Sequence, residues 1–197
     1  MGMFLGCGST VSQTVVPDFD VAGIRLVAVM PVSNKTNDAQ AAAVLRAALV
    51  EELHFKGYPK IPAAVIDEKL SGIYGTAVAA SDKTIPPTVV GEAVGVDTVL
   101  YCTLNEWKTS YLFFYAPTTV SASFELRDGT TGETIWCADS RVVKRNYDFT
   151  EKGLEMKSCQ SCELAVQEIV DKAISTFPNG PEYLGSSARK KRFLGLW

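Results

Sequence analysis

The spacing of apolar residues changes near Asp97, and this change constrains the fold more than any other feature of the chain. Before it, "GIRLVAVMPV" (residues 23–32) is an almost unbroken apolar run, typical of a strand buried on both faces. After it, β-branched and aromatic residues alternate with polar ones, which is typical of strands with one covered face. The sequence therefore predicts a mixed sheet, parallel in the first half of the chain and an antiparallel meander in the second.

The first half also carries helical patterns. Apolar residues recur at four-residue spacing in "AQAAAVLRAALVEELHFKG", as in an amphipathic helix: Ala41, Leu45, Leu49 and Leu53. Asn37 or Asp38 can cap the start of this helix, and Gly57 can end it. The stretch "YPKIP" predicts a short strand, which would complete a right-handed strand–helix–strand crossover. Two further helices are expected over residues 63–72 and 87–94.

Three strands and a closing helix are predicted in the second half. The strands span residues 97–104, 109–129 and 134–147, with a turn at "DGTTGE" between the last two. The helix covers residues 158–177. The predicted fold is a single α/β domain with a mixed α+β sheet, in two or three layers and in the order β-α-β-α-α-β-β-β-α.

The globular domain is expected over residues 23–178. Residues 1–7 stand apart as a residual signal, residues 8–22 form a flexible polar tether, and residues 179–197 form a tail with the basic run "ARKKR". The net charge of the chain is −3 at pH 7. Because nucleic-acid binding needs a clustered basic surface, we expect no nucleic-acid partner.

Residues suited to catalysis or metal binding are scarce. His54 is the only histidine of the chain. It lies in the last turn of the first predicted helix, where it can stabilise the helix C-terminus electrostatically. The sequence offers no clear nucleophile with a base, metal-ligand cluster or phosphate cradle. We predict no catalytic residue, no metal site and no cofactor.

Cys159 and Cys162 form a pair in "CQSC", at the start of the predicted closing helix. Such a pair is typical of redox proteins, because the helix dipole lowers the pKa of a thiol there. The two cysteines can also form a structural disulfide, or pack as small apolar side chains on the helix stripe. The three interpretations stay open, and packing is favoured.

Aromatic side chains are concentrated in "YLFFYAP". Alternation along a strand would direct Tyr111, Phe113 and Tyr115 to one face, and Leu112 and Phe114 to the other. Helices can cover one face, and exposed apolar patches often mark protein contacts. We predict a partner contact at the first three residues. The alternative is that both faces are buried within the monomer.

A candidate ligand loop follows the first strand. Ligands of open α/β sheets bind beyond the carboxyl ends of parallel strands. This places Ser33, Asn34, Lys35 and Thr36, in "SNKTND", beside a helix N-terminus that can attract an anion. Ordinary capping of that helix accounts for the same residues, and we prefer it.

The first ten residues, "MGMFLGCGST", combine a short apolar stretch with a cysteine. They are too few to cross a bilayer, which takes roughly 20 apolar residues. Phe4, Leu5, Gly6 and Cys7 resemble a lipobox, where bacterial signal peptidase cuts before a cysteine that then carries lipid. The basic region of such a signal is missing. The alternative is an N-terminus with a chance cysteine.

Four segments in their order and spacing carry a family resemblance: "VAVMPVSNKTND", "GYPKIPAAVIDEKLSGIYG", "GVDTVLYCTLNEWKTSY" and "LRDGTTGETIWCADS". Over residues 24–178 the chain resembles a family of bacterial lipoproteins catalogued as domain of unknown function 799. More distantly, "IRLVAVMPVSNKT" and "VDTVLYCTL" are similar to the N-terminal domain of TolB and to the curli-secretion lipoprotein CsgG.

This resemblance implies an exported, non-enzymatic protein that is lipid-anchored through Cys7 on the periplasmic side of the bacterial outer membrane. There it would be a component of a cell-envelope assembly or transport system, in contact with other envelope proteins or with copies of itself. The alternative is a periplasmic domain that binds a small molecule or carries out thiol redox chemistry.

Overall fold

A computed structural model describes residues 10–15, 24–74 and 85–182 of the protein. The strands in these ranges are β1 (Thr10–Val15), β2 (Val27–Val29), β3 (Ser33–Asn34), β4 (Thr98–Thr109), β5 (Tyr115–Asp128) and β6 (Thr134–Tyr147). The helices are α1 (Ala39–Phe55), α2 (Ala63–Tyr74), α3 (Pro87–Val90) and α4 (Glu151–Ser175). A π-helical turn, Gly91–Gly95, follows α3.

The strands form one mixed sheet in the order β1-β6-β5-β4-β2, and β3 also pairs with β4. β2 and β3 run parallel to β4. The remaining neighbours, from β4 through β5 and β6 to β1, are antiparallel. The predicted mixed sheet, with a parallel first half and an antiparallel meander in the second, is therefore confirmed.

Helices cover both faces of the sheet at its parallel end. Val27 and Val29 of β2 pack in one core with α1 and α4, whereas Ala28 and Met30 pack in a second core with α2 and α3. Successive residues of a strand point to opposite faces. The sheet is therefore the middle of three layers at this end of the domain.

The first helix begins and ends where the sequence predicts. Asp38 is the N-cap of α1, and its carboxylate accepts the backbone N–H groups of Gln40 and Ala41. Gly57 has a φ of +90°, a left-handed conformation that favours glycine and ends the helix. The predicted apolar stripe is buried: Ala41, Leu45, Leu49 and Leu53.

The short strand predicted at "YPKIP" is wrong. Residues 58–62 run without strand pairing, because Pro59 and Pro62 have no backbone N–H to donate to a ladder. Tyr58 is instead buried against Phe177, with ring centroids 5.6 Å apart. The crossover therefore continues through α2 and α3 to β4, which is the parallel neighbour of β2 and β3.

β1 corrects the prediction of a flexible tether over residues 8–22. It pairs with β6 from Thr10↔Arg141 to Val15↔Trp136. β-branched residues in "TVSQTV" suit a strand, and the pairing satisfies backbone groups that β6 would otherwise leave open at the sheet edge. The strand occupies residues 10–15 of the expected tether, while the other domain boundaries stay predictions.

α4 begins at Glu151, earlier than the predicted start at residue 158. Thr150 is its N-cap, and the threonine hydroxyl accepts the N–H of Gly153 at 3.1 Å. As a result, Cys159 and Cys162 lie in the interior of the helix. They are removed from the first turn, where a helix dipole lowers the pKa of a thiol.

Candidate functional site

Six large apolar side chains, each more than half exposed, lie between β4 and β5, at the end of β6 and on the loop between β6 and α4: Tyr111, Leu112, Phe113, Phe114, Tyr147 and Phe149. We name these six residues the aromatic tip. Phe113 is 95% exposed and Phe149 is 90% exposed. Burying such a ring in apolar surroundings gains roughly 1.5–3 kcal/mol, so the aromatic tip is the candidate contact surface of the domain.

The hairpin turn places Phe113 at its apex at a conformational cost. Leu112 and Tyr115 exchange two backbone hydrogen bonds, each 2.8 Å long, which leaves Phe113 and Phe114 as the two turn residues. Phe113 has a φ of +46°. Glycine normally occupies this position of a two-residue turn, and a larger residue costs roughly 1–2 kcal/mol. Strain held by a fully exposed aromatic residue points to a functional role.

The two loops of the aromatic tip are joined to each other. The backbone N–H of Asp148 donates to the carbonyl of Phe114 at 3.1 Å. The rings of Phe114 and Phe149 lie 5.7 Å apart between centroids, and those of Tyr115 and Tyr147 lie 4.9 Å apart. The hairpin turn and the β6–α4 loop therefore form one surface.

Asp148 fixes the loop that carries Phe149. Its Oδ1 accepts the backbone N–H and the hydroxyl of Thr150, each at 2.9 Å, and its Oδ2 lies 2.9 Å from Lys157 Nζ. A Cβ at Gly153 would come within 2.4 Å of the Asp148 carboxylate. Only glycine at residue 153 thus leaves room for this arrangement.

Acid titration of Asp148 gives a first prediction. The hydrogen bond from Lys157, and then those from Thr150, lower the pKa of Asp148 from 3.8 to about 2. Because the folded-state pKa lies below the ordinary value, ionised Asp148 stabilises the fold above that value, and this contribution is lost as the pH falls towards 2. Asp148→Asn should therefore lower the thermal midpoint at neutral pH. As the pH falls towards 2, the thermal midpoint of the variant should decrease less than that of the wild type. If the thermal midpoint of the variant decreases with pH as steeply as that of the wild type, another group causes the acid sensitivity.

A buried polar network fixes the strands behind the aromatic tip. Asn146 Nδ2 donates to the carbonyl of Ala116 at 2.9 Å and to Thr118 Oγ1 at 3.2 Å. Asn146 Oδ1 accepts the hydroxyl of Ser161 from α4 at 2.5 Å. Since a buried polar group is costly unless it is bonded, this network holds β5, β6 and α4 in one register beneath the tip.

Only part of the predicted contact is exposed, because its three residues do not lie on one continuous strand as the alternating pattern assumed. Tyr111 and Phe113 lie in the hairpin turn, whereas Tyr115 is half-buried at the start of β5. They do not share one face of a strand, because the continuous strand predicted over residues 109–129 is interrupted by this turn. Tyr147 and Phe149 were not predicted as contact residues, although Tyr147 is the last residue of a predicted strand and Phe149 follows shortly after it.

The predicted ligand loop borders an open crevice of about 660 Å³ between the start of α1 and β4. Ser33 and Asn34 form β3 and precede the crevice. Residues 35–39 and 105–108 line it. The crevice begins where β3 ends and lies beside β4, and the carboxyl end of a parallel strand is where open sheets bind ligands.

Polar groups of this loop are bonded mainly to one another. Asn34 Oδ1 accepts the N–H and the hydroxyl of Thr36, and Asn34 Nδ2 donates to the carbonyl of Asp38 at 2.7 Å. Lys35 Nζ donates to Asn105 Oδ1 at 3.2 Å. These bonds shape the turn that leads into α1, in agreement with the capping interpretation.

Cys159 and Cys162 are both free thiols in the structure. Cys159 is exposed and Cys162 is half-buried, so no disulfide joins the pair in the structure. Burial raises the pKa of the Cys162 thiol, and a hydrogen bond with Thr109 offsets part of that rise. A raised pKa disfavours the thiolate that redox chemistry uses. Across the described residues, no group of three His, Cys, Asp or Glu side chains is placed to hold a metal ion.

Cys7, the predicted lipid attachment site, lies outside the described residues. In the part of the chain that the structure describes, no helix has both the length and the apolar character needed to cross a membrane. Lipid attachment at Cys7 therefore stays a prediction of the sequence.

Comparison with protein families gives one match that covers most of the chain. The family described as "Putative lipoprotein GNA1162-like" matches residues 18–189. The chain is also 30% identical, over 143 residues, to "Putative lipoprotein NMB1124/NMB1162" of Neisseria meningitidis serogroup B (strain ATCC BAA-335 / MC58). That alignment covers 70% of this chain and 66% of the length of the meningococcal protein.

Solved structures with the same fold include the crystal structure of lipoprotein GNA1162 from Neisseria meningitidis. It matches with a TM-score of 0.57 and 27% identity, over 71% of this chain and 96% of the other. The PelC dodecamer from Paraburkholderia phytofirmans matches with a TM-score of 0.55 and 18% identity, over 85% of this chain and 96% of the other. At that identity, the likeness to PelC concerns the fold alone.

Proposed function

The chain belongs to the GNA1162-like lipoprotein family, and from this premise we propose that it is a lipid-anchored protein of the bacterial cell envelope. Cys7 is the proposed attachment site, and the periplasmic side of the outer membrane is the proposed location. The protein acts without catalysis, as a component of an envelope assembly or transport system. It does so through contacts with other envelope proteins or with copies of itself.

The aromatic tip is the observation that carries this proposal beyond the family. A domain that works by contact needs a surface that is more stable against a partner than in water. Tyr111 and Phe113, two of the residues first predicted to make the contact, lie within the tip. Tyr115 supports it from below, since its ring packs on that of Tyr147. The strain at Phe113 and the ordered Asp148 loop keep this surface presented.

Cell fractionation tests the proposed location. The protein should sediment with the outer membrane and resist washing with high salt or alkaline carbonate. The reason is that acyl chains are held by apolar burial, about 0.8 kcal/mol for each buried CH₂, and not by charge. Release by salt alone would contradict lipid anchoring. Recovery in the cytoplasmic fraction would contradict the envelope location as well.

A second candidate function is binding of a small polar ligand, favoured by the crevice of about 660 Å³ beside Lys35 and Lys108. A ligand that binds only the folded state raises the thermal midpoint, by an amount that grows with its concentration. Screening small anions should give a shift that Lys35→Ala abolishes, if this function is correct. If no compound class raises the thermal midpoint, ligand binding is contradicted and contact through the aromatic tip remains the proposed function.

A further inference from the structure

We infer that the aromatic tip contacts the lipid surface of the bilayer directly, beside the acylated Cys7. This inference rests on the proposed lipid anchor and makes it more specific. The tip end of the sheet would face the membrane. The acyl chains would bind the membrane at one point of the domain and the aromatic side chains at another.

The composition of the aromatic tip suits a membrane interface. Five of its six residues are aromatic. The two tyrosines are amphipathic rings of the kind enriched where lipid meets water, and the three phenylalanines are of the kind found on the lipid-facing side of interfacial segments. Leu112, the sixth residue, adds apolar surface beside Phe113 and is 58% exposed. The carboxylate in this loop, Asp148, is bound by Lys157 and Thr150, which lowers the cost of placing it beside lipid.

The shape of the tip also favours a lipid surface. Phe113 at the apex of a hairpin turn and Phe149 on the adjoining loop are the two most exposed large hydrophobic residues of the described chain. Both project from the end of the sheet and are not set in a groove. Projecting apolar side chains can enter a fluid headgroup layer without a matching cavity, whereas a protein partner would have to supply one.

The direction of β1 places its N-terminal end, which follows Cys7 in the sequence, toward the tip end of the sheet. β1 is antiparallel to β6, with Val15 opposite Trp136 and Thr10 opposite Arg141. Going from Val15 back to Thr10, the chain thus moves along β6 toward Tyr147, the last residue of β6 and a member of the aromatic tip. The N-terminal end of β1 therefore faces the tip end of the sheet.

Chain length limits how far the anchor can lie from this end. Thr10 is the third residue after Cys7, and three extended residue steps span at most about 11 Å. Arg141, the partner of Thr10, lies six residues from Tyr147, or about 20 Å along a strand. An anchor so close to a docked strand leaves the domain little freedom. With the chain extended from Thr10, Cys7 can lie within about 10 Å of the level of Tyr147. Interfacial side chains reach about 5–10 Å into the headgroup region, which is comparable to this distance.

Vesicle flotation of the full chain with Cys7→Ser tests the inference without any acyl group. The vesicles consist of phosphatidylethanolamine with a minority of phosphatidylglycerol, at low and at high salt. The unacylated chain should float with the vesicles at both salt levels, because apolar insertion is not screened by ions. Adding Phe113→Asp and Phe149→Asp should lower the partition coefficient at least about 100-fold, since each ring contributes roughly tenfold or more.

Leu164→Asp is the matched control for the charge substitutions. Leu164 is 63% exposed on α4, about 20 Å along the helix from its start near the tip. It should leave flotation unchanged. All three substituted side chains are exposed, so thermal unfolding should confirm that the variants stay folded.

Three outcomes would overturn the inference. In the first outcome, the unacylated chain does not float with the vesicles. In the second, its flotation is lost at high salt and is unaffected by the tip substitutions, which would assign membrane binding to the basic tail. In the third, the tip substitutions abolish self-association in sedimentation and leave flotation unchanged, which would make the aromatic tip a protein interface. None of these outcomes depends on acylation in cells. A failure of the lipid anchor itself would appear separately, in the mass of the cellular protein.

Discussion

Replacing Cys7 with serine is expected to abolish incorporation of radioactive palmitate into the protein. An acyl chain on a lipoprotein is carried by the cysteine that follows the signal, and serine cannot replace its thiol. The wild-type protein, expressed from its native gene with the upstream region, should carry the label. The label of the Cys7→Ser protein should fall to background, which is a loss of the whole signal and not a partial shift.

Cys159 provides the matched control for this experiment. It is the exposed cysteine of the described ranges, and so the thiol most open to unspecific acylation. Cys159→Ser should keep the full label. Label that persists in Cys7→Ser and disappears in Cys159→Ser would contradict the proposed anchor and place the lipid on α4.

The second large effect is expected in the core, on replacement of Trp136 with alanine. Trp136 is 1% exposed and packs edge-on against Phe177, with ring centroids 5.0 Å apart. Its Nε1–H donates to the hydroxyl of Thr176 at 3.2 Å. Removing a buried tryptophan ring costs about 3–5 kcal/mol of the free energy of unfolding. Chemical denaturation should show this loss as a lower midpoint with little change in slope.

Trp136→Phe separates packing from the hydrogen bond. It keeps an aromatic ring beside Phe177 and loses only the donor to Thr176, so its loss should be clearly smaller than that of alanine. Equal losses for the two variants would mean that the hydrogen bond, and not the ring, dominates at this site. Because Trp136 lies at the opposite end of β6 from the aromatic tip, flotation of any folded Trp136→Phe protein should be unchanged.

Elements with strong local signals could be predicted from the sequence. The four-residue apolar spacing, the Asp38 cap and Gly57 determine α1 through contacts within a few residues. The change of period near Asp97 separates the parallel from the antiparallel part of the sheet. The prediction of a bacterial lipoprotein family is also confirmed, while the resemblances to domain of unknown function 799, TolB and CsgG stay predictions.

Features that depend on distant contacts could not be predicted in this way. Tyr58 looks like part of a strand, yet its position is decided by Phe177, far along the chain. Alternation alone cannot reveal a two-residue turn whose first position holds Phe113 in place of glycine. Tyr147 and Phe149 join the aromatic tip only because the β6–α4 loop folds back on the hairpin turn.

The central claim is that Cys7 is the acylated N-terminus of an envelope protein, and the intact mass of the membrane-fraction protein tests it most directly. The protein should be expressed from its native gene with the upstream region and extracted in detergent. We predict a mass that corresponds to a chain beginning at Cys7 and carrying acyl groups. An unmodified chain that retains Met1, recovered from the soluble fraction, would contradict the lipid anchor and the orientation of the aromatic tip that depends on it.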